Sequence, residues 1–305
     1  MSDSEGASAA DTLDVETIRL DGADGVTLAA DIVGDPGAPV VLLFHGGGQT
    51  RHSWGGAMRD LARRGLRVAS VDMRGHGDSD WSPDGDYGAE VFPGDVMAVA
   101  RQFESPVLVG ASLGGTSSLM AVHWADEPIA RALVLVDVAP NIEPEGVDHI
   151  RSFMFEHMHT GFADLEEVAD AVAAYNPHRP RPSNLDGLKK NVRLRDDGRW
   201  YWHWDPAFMW GKHEGTDETR IIEFDRRAEA LEDAARSLTI PTLLVRGRQS
   251  DLLSEDGAKK FLSYVPHAEF ADIEGAGHMV AGDKNDVFND AIVGFIDRLD
   301  AEGTA

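Results

Sequence analysis

Val107-Leu108-Val109-Gly110-Ala111-Ser112-Leu113-Gly114-Gly115-Thr116 is the stretch that decides the fold. Its apolar run ends at Gly110, and a helix is predicted from Leu113 to Ala125 with no loop between them. An unbroken apolar run followed directly by a helix suits a strand buried on both faces. The join confines Ser112 to a sharp turn, which tolerates only very small residues two positions before and two after it. Gly110 and Gly114 meet that demand. The hydroxyl then projects from the strand's C-terminal end above a helix N-terminus, where the helix dipole favours developing negative charge. The same glycines would also suit a plain strand–helix joint with Ser112 as the helix cap, so the rest of the chain has to decide.

Upstream, Val15–Leu20 and Val26–Ala30 flank an Asp24-Gly25 turn and read as a hairpin. Pro39-Val40-Val41-Leu42-Leu43-Phe44 is a buried strand, a helix is predicted over 53–64, and Arg67–Asp72 is the next strand. A helix over 89–103 precedes the Ser112 turn, and Leu133–Asp137 follows it as a strand. Strand and helix alternating in this way imply a mostly parallel sheet covered on both faces.

The alternation breaks between 141 and 236, where helices are expected near 148–159, 162–174 and 219–237. Among them lie a stiff Pro177–Pro182 link and a small hairpin ending in Trp200-Tyr201-Trp202-His203-Trp204, which sets three tryptophans on one face. The core pattern returns with the strand Thr242–Val245, a helix at 254–264, the strand Glu269–Ile273 and a helix at 285–299. The expected organisation is a tail over 1–12 without fixed structure, a core over 13–140 and 237–305, and an inserted cap over 141–236.

Composition narrows the chemistry. The chain has 305 residues and no cysteine, which excludes disulfides, thiolate metal sites and cysteine nucleophiles. The net charge of −25 makes nucleic acid a poor partner. Only 6 of its 28 basic residues are lysine, a balance that salt adaptation and genomic base composition both explain. The acidic N-terminus has no signal-peptide pattern, and no apolar run is long enough to span a membrane. A cytoplasmic location and no membrane partner are therefore expected, with a homodimer left open.

A serine hydroxyl needs a base, and the base needs an orienting acid. His278, in Gly275-Ala276-Gly277-His278, follows a strand end and supplies the base. Asp251 follows the next-to-last strand and gives the order Ser, Asp, His, with Asp137 at an earlier strand end as the rival acid. The oxyanion needs backbone N–H donors. Gly47 in His45-Gly46-Gly47-Gly48 and Leu113 are assigned that role, with Gly48 as the alternative to Gly47. His76 reads as a loop hydrogen-bonding residue. His157 and His159 lack metal-site spacing, so no metal is expected, and no glycine-rich dinucleotide motif calls for a cofactor.

Together these pieces resemble the α/β-hydrolase fold, in its epoxide-hydrolase, haloperoxidase-like and carboxylesterase branch. The motifs carrying the likeness are His45-Gly46-Gly47-Gly48, Asp72-Met73-Arg74-Gly75-His76-Gly77-Asp78-Ser79, the Ser112 turn, Asp251 and Gly277-His278. The resemblance implies an eight-stranded, mostly parallel sheet flanked by helices with a mainly helical inserted cap. Epoxide hydrolases of this fold use an aspartate nucleophile, so Ser112 points instead to acyl transfer. The expected substrate is a small carboxylic ester or lactone. Carbon–carbon bond hydrolysis and perhydrolysis are the alternatives with the same residues, and a non-catalytic ligand receptor is disfavoured. Trp200, Trp202 and Trp204 are expected either to pack the cap onto the core or to line the substrate site.

Overall fold

The computed structural model of the protein describes residues 13–175, 180–210, 217–277 and 285–303. In chain order the strands are β1 (Glu16–Asp21), β2 (Thr27–Val33), β3 (Val40–Phe44), β4 (Arg67–Val71), β5 (Val107–Ala111) and β6 (Ala132–Val136). After them come a short hairpin, β7 (Val192–Leu194) and β8 (Trp200–Trp202), then β9 (Thr242–Gly247) and β10 (Glu269–Ile273). Eight of these form one sheet in the order β1-β2-β4-β3-β5-β6-β9-β10. The β1–β2 and β2–β4 pairings are antiparallel, and every other pairing is parallel.

Strand alternation splits the apolar side chains between two layers. Leu42 and Phe44 of β3 and Leu108 of β5 face one side, with α2 (Val91–Ala100), α3 (Leu113–Trp124) and α9 (Glu255–Tyr264) packed over them. Val41, Leu43, Val107 and Val109 face the other. There α1 (Gly55–Arg63) and α10 (Asn285–Gly303) cover them through Met58, Leu61, Phe288 and Ile292. The three central strands are therefore buried on both faces, as their unbroken apolar runs require.

Between β6 and β9 lie α4 (Pro144–Glu156), α5 (Leu165–Tyr175), α6 (Leu185–Leu188), the β7–β8 hairpin, α7 (Ala207–Trp210) and α8 (Asp217–Arg236). Met154, Met158, Phe162, Val168, Leu188, Trp202 and Trp204 form a small core of their own there. From the C-terminal half of α8, Leu231, Ala234 and Ala235 pack into the main core beside α3. Helix α4 begins at Pro144, earlier than the predicted 148, because proline suits a first helical turn whose N–H groups have no partner. The tail over 1–12, residues 177–179 of the proline-rich link and His278 lie outside the described residues.

The loop after β4 is fixed by buried charge. Arg74 reaches Asp95 on α2 through two contacts, Nε to Oδ2 at 3.0 Å and Nη2 to Oδ1 at 2.7 Å. Both side chains are almost wholly buried. Removing one partner strands the other charge, a loss of about 3–5 kcal/mol. Asp95→Ala is therefore expected to lower the unfolding free energy by about that amount in urea titration, while the double change Arg74→Met, Asp95→Leu recovers much of it. A single variant within 1 kcal/mol of wild type contradicts this account of the pair.

Candidate active site

Ser112 has φ 45° and ψ −114°, a backbone state that a non-glycine residue adopts only under strain. Steric crowding around the turn explains what imposes it. A methyl group on Gly110 would lie 2.4 Å from the backbone of Gly114. One on Gly114 would lie 2.3 Å from the Phe44 carbonyl oxygen at the end of β3. Only glycine at both positions lets α3 start this close to β5 and β3. Half-buried Ser112 is left at the C-terminal edge of the sheet, at the mouth of α3.

The loop after β3 presses against this turn. Gly114 N–H donates to the His45 carbonyl at 3.1 Å, and a Cβ on Gly46 would stand 3.4 Å from Ser112 Cβ. Among the described residues, neither Gly47 N–H nor Leu113 N–H has a hydrogen-bond acceptor in the chain. Gly48 N–H, in contrast, donates to His76 Nε2 at 3.1 Å. The alternative donor named from sequence is thus already engaged, and Gly47 and Leu113 remain as the two N–H groups beside Ser112. Phe208 and Met154 flank this loop, with Phe208 Cζ 3.2 Å from a Cβ position on Gly47 and Met154 Cε 2.9 Å from one on Gly48. Sequence reading had singled out neither side chain. The only signal for Phe208 was its place in the aromatic run that follows the hairpin.

Two buried histidines set the shape of the loop. His45 Nδ1 donates to the Gly46 carbonyl at 2.7 Å, and its Nε2 accepts from Met73 N–H at 3.0 Å. His76 Nδ1 donates to the Arg74 carbonyl at 3.0 Å while its Nε2 accepts from Gly48. Each ring needs one donor and one acceptor nitrogen and is therefore neutral. Burial, with the neighbouring charges, pushes His45 down to about 4 and His76 down to about 3. Both nitrogens of His76 are in use, which agrees with its reading as a loop residue and not as a base. Nearby, Arg51 joins Asp72, Asp31 and Asp78. Burial opposes its charge, yet Asp72 and the other two carboxylates hold its pKa above the ordinary arginine range.

The two acids from the sequence lie in very different surroundings. Asp251 has its side chain 55% exposed and paired at 3.3 Å with Nδ1 of His149 on α4. Asp137 is fully buried at the end of β6, with φ 51°. Its Oδ1 accepts from Gly247 N–H at 3.0 Å, and its Oδ2 accepts from Ser250 Oγ at 2.5 Å. The tryptophans are also divided. Trp202 and Trp204 are buried in the small core between β6 and β9. Trp200 lines an open cleft of about 400 Å³ with His52, Lys189, Arg193 and His203. No residue of the Ser112 turn lines that cleft.

The family model for the α/β hydrolase fold matches residues 39–284, and the chain belongs to that family. It is a hydrolase. Among curated relatives, esterase Rv0045c of Mycobacterium tuberculosis is 28% identical across 85% of this chain and 83% of its own. The 3-hydroxybutyrate-oligomer hydrolase of Cupriavidus necator is 26% identical across 80% and 84%. A solved structure of E-2-(acetamidomethylene)succinate hydrolase superposes with a TM-score of 0.79 at 26% identity, covering 93% of this chain and all of that one. Among the described residues, no helix is long and apolar enough to cross a membrane.

The neutral histidines give the fold a definite acid response. Unfolded, each imidazole titrates near 6.5 and takes up a proton that the folded state refuses until pH 4 or 3. Their contribution is whole above pH 6.5 and is lost as pH falls below it, by up to about 1.4 kcal/mol per pH unit for each ring. His76→Gln is expected to reduce the slope of unfolding free energy between pH 4.5 and 6 by about one proton. An unchanged slope in urea titrations across that range contradicts the buried neutral state of His76.

Proposed function

We propose that the protein is a serine hydrolase that cleaves small carboxylic esters or lactones through an acyl-enzyme on Ser112. The observation that carries the reading is the strained Ser112 backbone, held by two obligatory glycines beside two N–H groups without acceptors. Strain of this kind persists only where surrounding packing enforces it. An oxyanion forming on the carbonyl would take the N–H groups of Gly47 and Leu113, at the positive end of α3. His278 is the proposed base, which takes the Ser112 proton, passes it to the leaving group and then activates water for deacylation. Relatives whose names specify esterase or oligomer hydrolase activity support ester cleavage over carbon–carbon bond hydrolysis.

For the acid we favour Asp137 over Asp251. An orienting carboxylate must be fixed in place and shielded from water if it is to stabilise an imidazolium. Asp137 is buried and gripped by Ser250 and Gly247, whereas Asp251 stands at the surface beside His149. Ser250 then has a role of its own. Its hydroxyl donates to Asp137 and accepts from Leu252 N–H and Leu253 N–H at 3.1 Å each, tying the loop after β9 to the end of β6.

Ser112→Ala is expected to lower kcat for an aryl ester by roughly four to six orders of magnitude, with an unaltered circular dichroism spectrum. Activity near wild type in that variant ends the reading. Asp137→Asn is expected to cost roughly three to four orders of magnitude and Asp251→Asn less than about threefold. The reverse ranking restores Asp251 as the acid.

A further inference from the structure

Helix α8 packs beside α3 along a stripe of Leu231, Ala234, Ala235 and Leu238, spaced as one helical face. One turn towards the N-terminus, the next position on that stripe is Arg227, four residues before Leu231. Arg227 sets a cation into a run whose sequence neighbours at helical spacing, Phe224, Ala228 and Leu231, are apolar. Two contacts fix the register of the helices: His123 Nδ1 to Ser237 Oγ at 2.7 Å, and Arg227 Nη2 to Thr116 Oγ1 at 3.4 Å. Both helices therefore run in the same direction, and Arg227 lies beside the first turn of α3.

Thr116 belongs to the Ser112 turn. Its N–H donates to the Ser112 carbonyl at 2.9 Å, and its hydroxyl donates to the Leu113 carbonyl at 3.1 Å. Thr116 accordingly stands about one turn of helix, on the order of 6 Å, from Ser112, and the guanidinium borders it. Among the described residues it contacts no carboxylate, although the chain carries 53 acidic residues, and its one contact is with a neutral hydroxyl. The side chain retains exposed surface, yet the surrounding chain desolvates it enough to pull its pKa below the ordinary arginine value. Arginine there remains charged and offers a planar fork of donors matched to a carboxylate.

We propose that Arg227 is a specificity-determining residue that binds a carboxylate on the substrate, two or three carbons from the scissile carbonyl. The substrate class becomes the half-esters and related monoacyl derivatives of short dicarboxylic acids. This rests on the Ser112 hydrolase reading above. A cation at this position also offsets the repulsion that a chain of net charge −25 exerts on an anionic substrate.

The test compares two aryl esters of equal chain length, a neutral valerate and a hemiglutarate, in wild type, Arg227→Met, Arg227→Lys and Arg227→Glu. The ratio of kcat/KM, charged over neutral, is expected to fall at least tenfold in Arg227→Met, chiefly through KM. Arg227→Lys should retain most of it, and Arg227→Glu should instead favour an ester bearing a trimethylammonium group. A ratio that does not change in Arg227→Met and Arg227→Glu overturns the assignment while leaving the hydrolase reading intact. Calorimetric titration with glutarate separates the two ideas. Binding that depends on Arg227 in a protein that hydrolyses neither ester sustains the carboxylate site and defeats the hydrolase reading. If neither ester is hydrolysed and no glutarate binds, both fail.

Discussion

The approach of α3 to the edges of β5 and β3 is the constraint on which the rest depends. Gly110 and Gly114 are in contact across the turn, and Gly114 also lies against the Phe44 carbonyl. No side chain fits at either position, and the backbone between them has a single route, which puts Ser112 in a conformation that costs about 1–3 kcal/mol. The sheet absorbs that cost because β3, β5 and β6 are buried on both faces and cannot shift to relieve it. Ser112 is therefore held against strands buried on both faces.

Around this turn the loops are fixed by polar groups that have given up water. His45 ties its own loop to Met73, and His76 ties the loop after β4 to Gly48. Arg51 joins three carboxylates, and Arg74 anchors the same loop to α2 through Asp95. Buried pairs of this kind add little net stability over apolar packing, but they fail badly when halved. Their effect here is to leave the Gly47 N–H uncommitted while Gly48 is spoken for. Further along, the segment after β8 is knitted to the same region, with Gly77 N–H donating to the His203 carbonyl at 2.8 Å and Tyr87 Oη to Asp205 at 2.7 Å.

Much of the fold was legible because buried parallel strands write themselves as apolar runs. Val40–Phe44, Val107–Gly110 and Leu133–Val136 needed no other signal, and the Ser112 turn followed from its glycines and from the helix directly after it. The acid was harder to read. Asp137 and Asp251 both follow strands and both lie between Ser112 and His278, so sequence order alone does not separate them. Burial and the Ser250 hydrogen bond, which distinguish them, arise from pairing of β6 with β9 over a separation of more than a hundred residues. The tryptophans left packing and substrate lining both open for a related reason. A strand pattern places alternate residues on one face but does not say what the face meets, and Trp202 and Trp204 meet the interior of their own subdomain. Phe208 and Arg227, which border the Ser112 region, had no pattern to announce them.

A strained serine between two glycines in an α/β hydrolase, beside two N–H groups left without acceptors, is the arrangement on which the proposed attack on a carbonyl rests. The central claim is that Ser112 is the nucleophile, and covalent capture tests it most directly. Wild-type protein treated with a fluorophosphonate and analysed by intact-mass and peptide mass spectrometry is expected to carry one phosphonyl group, on Ser112, and Ser112→Ala none. Labelling at another residue, or a wild-type protein that stays unlabelled under conditions that saturate a known serine hydrolase, contradicts it.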